Sequence, residues 1–184
     1  KRGSEDEAIG RSRGGLSTKI SVGVDALGNP IRFILTGGQV HDILQAEDLI
    51  SGIPFEHLLA DKGYDANWLR TRIAEGGAEA VIPSSRSRSQ AIPYDKFIYR
   101  ERNLVERFFN KIKHFRRIAT RYEKTAVSFA AMLFLVGAMI WLAVAALLWG
   151  DLEPGPHAVG FRTIYSIDAS RPFGSDAGRP IRIS

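Results

Sequence analysis

The 184-residue sequence contains no cysteine. That excludes a disulfide framework and thiolate metal sites, and it fits a reducing compartment. The four histidines, His41, His57, His114 and His157, show no zinc-binding spacing, so no structural metal is expected. The Gly-Lys-Ser/Thr ending of a phosphate-binding loop is missing, and the stretch around Arg11, Arg13, Gly14 and Gly15 has the composition of a solvated lead-in. No internal repeat is visible, and no secretory leader pattern opens the sequence. Acid is scarce in one place. Between Arg100 and Lys124, nine Lys or Arg stand against three Glu, a local +6 in a chain of net charge +5. One segment therefore carries the whole basic balance. A cationic face on a single element points to a polyanion, most commonly nucleic acid; a solvated surface helix is the plainer alternative.

What is present suits one globular domain. Apolar residues make up 45 % and charged residues 24 % of the chain, ordinary values for a length that buries a real core. Residues 18–25 alternate, with Ile20, Val22 and Val24 on one face, which predicts a half-buried strand. Ala26-Leu27-Gly28-Asn29-Pro30 is turn chemistry, and residues 31–36 form a second strand, so the pair is expected as a β-hairpin. Residues 42–50 read as a short helix capped by Asp42. Residues 57–60 read as a buried strand ending at Asp61, and residues 65–75 as a helix closed by Gly76-Gly77. Residues 80–82 give a further short strand. A Ser/Arg-rich loop covers 84–93, a long basic helix 96–122, and an apolar helix 126–149. Strands first, with helices between and after, make an α/β or α+β domain.

The most telling residues are Tyr99, Arg102, Glu106 and Lys113. At 100° per residue their directions fall within an arc of roughly 60°. Leu104, Val105, Phe108, Phe109, Ile112 and Phe115 point mostly the other way. One face is built to bury; the other sets a carboxylate among cations and a phenol. For Glu106, an i,i+4 salt bridge with Arg102 is an equally valid and compatible expectation. For Asp61, taken alone, a turn or cap role is the simpler one.

This Tyr-(2)-Arg-(3)-Glu-(6)-Lys spacing resembles the signature of bacterial insertion-sequence transposases of the DDE class. The runs GRSRGGLSTKI, VDALGNPIRFILTGGQVHD, LLADKGYDA, VIPSSRSR and RFFNKIKHFRRIATRYEK follow in the same order, and the likeness covers residues 9–142. The resemblance implies an RNase H-like fold, a mixed sheet flanked by helices and incomplete at the N-terminus. It divides the chain into a flexible lead-in (1–15), a partial catalytic domain (16–142) and a divergent, poorly ordered extension (143–184). It implies cleavage and strand transfer at transposon ends, with Asp61 and Glu106 as catalytic, metal-binding acids for Mg²⁺ or, in its place, Mn²⁺. Tyr99, Arg102, Lys113, Arg116 and Arg117 become contacts for DNA, with Lys62 and Tyr64 supporting Asp61. A homodimer or higher assembly on DNA in the cytoplasm is expected. The first acid of such a triad lies upstream of the segment resembling Gly10 to Gly15. Asp25 precedes a turn and is a turn former, and Asp42 is a helix cap near the site. The chain begins at Lys1 without Met, so a fragment or the downstream product of a split frame is expected, not competent for transposition alone.

Two other readings stay open. Arg102, Lys111, Lys113, Arg116, Arg117 and Arg121 suffice for salt-sensitive DNA binding without chemistry. Residues 126–149, 24 residues without a charge, meet the length of a membrane span, with the basic segment on the cytoplasmic side. Against a span, the family likeness runs through Ile140-Trp141-Leu142, where a final core helix is expected.

Overall fold

Ile20, Val22 and Val24 belong to the central strand of a mixed sheet. The computed structural model describes residues 7–12, 15–148 and 162–168. Its strands are β1 (Gly10–Ser12), β2 (Gly15–Val24), β3 (Pro30–Gly37), β4 (His57–Leu59), β5 (Glu79–Val81) and β6 (Arg162–Asp168). Its helices are α1 (Ala46–Ile50), α2 (Asn67–Glu75), α3 (Lys96–Tyr99), α4 (Asn103–Ile112), α5 (Arg116–Ala119) and α6 (Ala126–Leu148). Single 3₁₀ turns occupy Asp42–Gln45, Lys62–Tyr64 and Arg100–Arg102.

The predicted hairpin forms. β2 and β3 pair antiparallel from Thr18↔Gly37 to Val24↔Pro30. Asp25 makes the turn: its Oδ1 accepts from the Leu27 and Asn29 amides at 2.9 and 2.8 Å, and Gly28 takes a φ of +81° that a β-carbon would strain. The other edge of β2 pairs antiparallel with β6, β6 pairs parallel with β4, and β4 pairs parallel with β5. The fold is thus α/β with a mixed sheet. Ile20, Val22 and Val24 pack with Val105, Phe108, Phe109 and Ile112 of α4, Ile118 of α5, and Phe129, Leu133 and Val136 of α6. On the opposite face, α1 and α2 enclose Leu58, Ala60, Tyr64 and Ile82.

Three expectations need correction. The basic helix over 96–122 is not continuous. α3, a 3₁₀ turn and α4 run to Ile112, then the chain breaks and Phe115 is extended at φ −83°, ψ 98°. On an unbroken helix Ile118 would point roughly 120° away from Ile112; the break turns it into the same core, where it is buried. The helix expected from 65 starts at Asn67, because Asp65 is engaged elsewhere. Asp42 caps nothing: His41 holds the N-cap position without a side-chain bond, and Asp42 pairs instead with Lys19 at 2.8 Å. α6 continues to Leu148 and Arg162–Asp168 supplies β6, while 149–161 and 169–184 fall outside the described residues. So do 1–6 and 13–14 of the lead-in, whose remainder contains β1.

One stripe of α6 docks on the hairpin. A β-carbon on Gly137 would lie 3.3 Å from the Phe33 ring and 3.4 Å from Pro30, so a glycine there lets the helix approach. Trp141 Nε1 donates to the Pro30 carbonyl at 2.8 Å, and the Phe33 and Phe134 rings meet edge-on at 5.7 Å. Ala126–Ala146 is also long and apolar enough to cross a membrane by length and composition, and its outer face leaves Val127 and Leu142 exposed.

Candidate active site

The short strand β4 ends in buried apolar residues and delivers Asp61 at its carboxyl end. Asp61 caps the following 3₁₀ turn, with the Gly63 amide donating to its Oδ1 at 2.8 Å. A β-carbon on residue 63 would stand only 3.0 Å from that oxygen, so the Lys-Gly-Tyr sequence keeps the carboxylate accessible from this side. Tyr64 is buried beneath the turn. The cap role and a chemical role coincide in one residue. Burial pushes the Asp61 carboxyl above its ordinary pKa, with Asp42 adding to the rise; the Gly63 amide, Arg102 and Lys62 pull the other way. Its negative charge is therefore under-compensated.

Asp42 reaches this neighbourhood from the Gln39-Val40-His41-Asp42 run. Lys19, on β2, donates to the Val40 carbonyl at 2.7 Å and pairs with Asp42. Nothing in the sequence singled out Lys19.

Across from Asp61 stands the face of α3 and α4. Arg102 donates to Glu106 Oε1 at 2.8 Å, one helical turn apart, and its guanidinium lies 5.6 Å from the Tyr99 ring centre. Tyr94 packs edge-on against Tyr99 at 5.2 Å. Burial raises the Tyr99 phenol; Arg102 lowers it, and the charges of Asp61 and Glu106 raise it. Tyr99, Arg102, Glu106 and Asp61 thus share one electrostatic neighbourhood, although 38 to 45 positions separate Asp61 from the other three in sequence.

Lys113 lies two turns beyond Glu106, at the end of α4, donating to Asn110 Oδ1 at 3.0 Å, and burial lowers its pKa. The helix break places Arg116 and Arg117 on α5, both exposed; Arg117 pairs with Glu123 at 3.4 Å. Arg121 is structural. It donates to the Glu7 and Glu123 carbonyls and to Thr18 Oγ1, and lies against the Phe129 ring.

Asp65 is the residue that sequence reasoning missed. Its side chain is 0 % exposed. Arg70 Nε and Arg88 donate to Oδ1 at 2.8 and 2.9 Å, while the Ser85 amide and Arg88 Nε donate to Oδ2 at 2.7 and 2.8 Å. Although burial opposes ionisation, these donors win and hold its carboxyl well below the usual range. The Ser-Ser-Arg-Ser-Arg run has no acid of its own, but no local pattern ties it to Asp65. The effect is to fasten the loop after β5 onto α2, at the same sheet end as Asp61.

Asp61 and Glu106 offer the hard oxygen donors that Mg²⁺ prefers, and the under-compensated charge on Asp61 favours a cation. Among the described residues no group of three or more His, Asp or Glu is placed to hold a metal ion, so a metal here would rest on at most these two protein ligands.

The family described as Transposase DDE domain matches residues 3–141. A Brucella ovis protein assigned as transposase for insertion sequence element IS6501 is 43 % identical over 129 residues, covering 69 % of this chain and 99 % of that protein. A Burkholderia cepacia protein assigned as transposase for insertion sequence element IS402 is 31 % identical over 148 residues, covering 74 % of this chain and 64 % of that protein. No solved structure gives a significant match.

Proposed function

We propose a DNA strand-transfer role for the site on one premise: this chain belongs to the transposase DDE domain family. DNA is the partner that family implies. The observation that carries the reading to these residues is the grouping of Asp61 with Tyr99, Arg102 and Glu106. Asp61 and Glu106 would hold the divalent ion, Mg²⁺ with Mn²⁺ as its substitute. When bound, such an ion polarises a phosphoryl oxygen and makes a water or a 3′-hydroxyl more nucleophilic. Arg102 holds Glu106 in place and would face phosphate. Tyr99 would pack against the scissile end of the DNA. Lys113, Arg116 and Arg117 extend the cationic surface along which a duplex backbone lies. The strand order β3-β2-β6-β4-β5, antiparallel then parallel, with helices on both faces, supports an RNase H-like assignment. Assembly as a homodimer or higher oligomer on DNA, and a cytoplasmic setting, belong to the same proposal.

Thermal melting of the purified chain with and without Mg²⁺, paired with duplex binding across a salt series, tests it. The expected result is a Mg²⁺-dependent rise in Tm that Asp61→Asn and Glu106→Gln each abolish, with binding that weakens as salt rises. Absence of duplex binding at about 50 mM salt sinks the proposal. That no third acid joins Asp61 and Glu106 in a metal-holding group among the described residues favours one second reading, DNA binding without chemistry. Salt-sensitive binding with no Mg²⁺ response, unchanged in Asp61→Asn, selects that reading.

A further inference from the structure

β4 has two edges. β5 holds one, through His57↔Glu79, Leu58↔Ala80 and Leu59↔Val81. β6 holds the other, through Leu58↔Arg162 and Leu59↔Thr163. β2 likewise has β3 on one edge and β6 on the other, in six consecutive pairs from Lys19↔Asp168 to Val24↔Thr163. Among the described residues β2 and β4 do not pair with each other. β6 is therefore the strand that joins the antiparallel half of the sheet to the parallel half. It comes from beyond α6, whereas the other five strands all precede residue 82.

The seam runs through the core. Ile20, Ser21, Val22 and Val24 of β2 and Leu58 and Leu59 of β4 are buried. Backbone amides and carbonyls along such edges are costly to leave unpaired. Main-chain pairing of this kind is how one polypeptide captures a strand of another. The required strand has defined polarity: antiparallel to β2 and parallel to β4.

We propose that the seam between β2 and β4 is a strand-accepting site, that Arg162–Asp168 is its occupant within the same chain, and that this occupant is a displaceable plug. The plug and a free strand of the same polarity then compete for one place.

The absence of cysteine makes this testable in the full chain. Ser21 and Ser166 are register partners, and directly opposed residues on antiparallel strands lie within disulfide reach. The variant S21C/S166C is expected to give, on oxidation, a crosslink within one chain and a Tm raised by about 5 °C. A fluorescein-labelled peptide Arg-Thr-Ile-Tyr-Ser-Ile-Asp, at about 1 mM to match an intramolecular effective concentration, is expected to bind the reduced protein and not the oxidised one. A folded protein that forms no crosslink overturns the proposal. A crosslinked dimer overturns the same-chain occupant, because a second copy then donates the strand. Equal peptide binding to both forms overturns the seam as the acceptor. V24C/T163C, at the far end of the same ladder, repeats the test if the serine pair fails to fold. No readout uses metal or DNA, so this proposal and the functional one fail separately.

Discussion

At the scale of residues, two aspartates four positions apart do opposite things. Asp65 is saturated with donors and Asp61 is short of them. Asp65→Asn leaves Arg70 and Arg88 without their shared counter-charge and is expected to cost about 3 kcal/mol in urea unfolding. The pH dependence follows from the depressed carboxyl: its contribution is complete above the unfolded value near pH 4 and fades as pH falls below that. Unfolding curves for wild type and Asp65→Asn are expected to converge on acidification; a constant gap between pH 7 and pH 3 contradicts the assignment. Asp61 has the reverse sign. Its carboxyl is raised, so its charge opposes folding at neutral pH, and that penalty vanishes as pH drops through the raised value. Asp61→Asn, which can still accept from Gly63, is expected to raise Tm by about 2 °C without metal. A fall in Tm means that the charge is better compensated than its burial implies. The turn capped by Asp61 and the Arg102–Glu106 pair were legible because each rests on local spacing. Asp65 was not, because its partners lie 5, 20 and 23 positions away.

At the scale of elements, the hairpin was readable because alternation and turn chemistry agree. The break after Ile112 was not, since no glycine or proline marks it; the burial of Ile118 causes it. The break separates Arg116 and Arg117 from the phase of α4, so they act as a separate cationic pair. Arg116→Ala is expected to reduce the log-log salt slope of duplex binding by about 0.9. Arg117→Ala is expected to do less, because Glu123 already engages it. Equal losses for the two variants contradict that pairing. On α6, Gly137→Leu pushes the helix off Phe33 and Pro30 and is expected to cost about 2 kcal/mol of stability, read by chemical denaturation. Neutral behaviour at this position means that α6 does not dock on β3 as closely as described.

At the scale of the whole molecule, the sheet depends on pairing between the two ends of the chain. The order of predicted strands and helices announces an α/β or α+β domain, but no local pattern in the extension tells that its strand will stand between β2 and β4. That arrangement has a dynamic signature. Amide exchange is expected to be slowest in β2 from Ile20 to Val24, the stretch paired on both edges. Exchange there as fast as in the single-turn helix α5 contradicts a closed sheet. The knot around Asp65 has a further consequence, in covalent terms. Arg86 is exposed at the tip of the loop, while Asp65 grips Ser85 before it and Arg88 after it. Trypsin cutting after Arg86 therefore leaves two peptides still clasped by one carboxylate. The nicked protein is expected to elute as a single species and to separate only on denaturation, because the Asp65–Arg88 clasp and the core that β2 shares with α4 and α6 both span the cut.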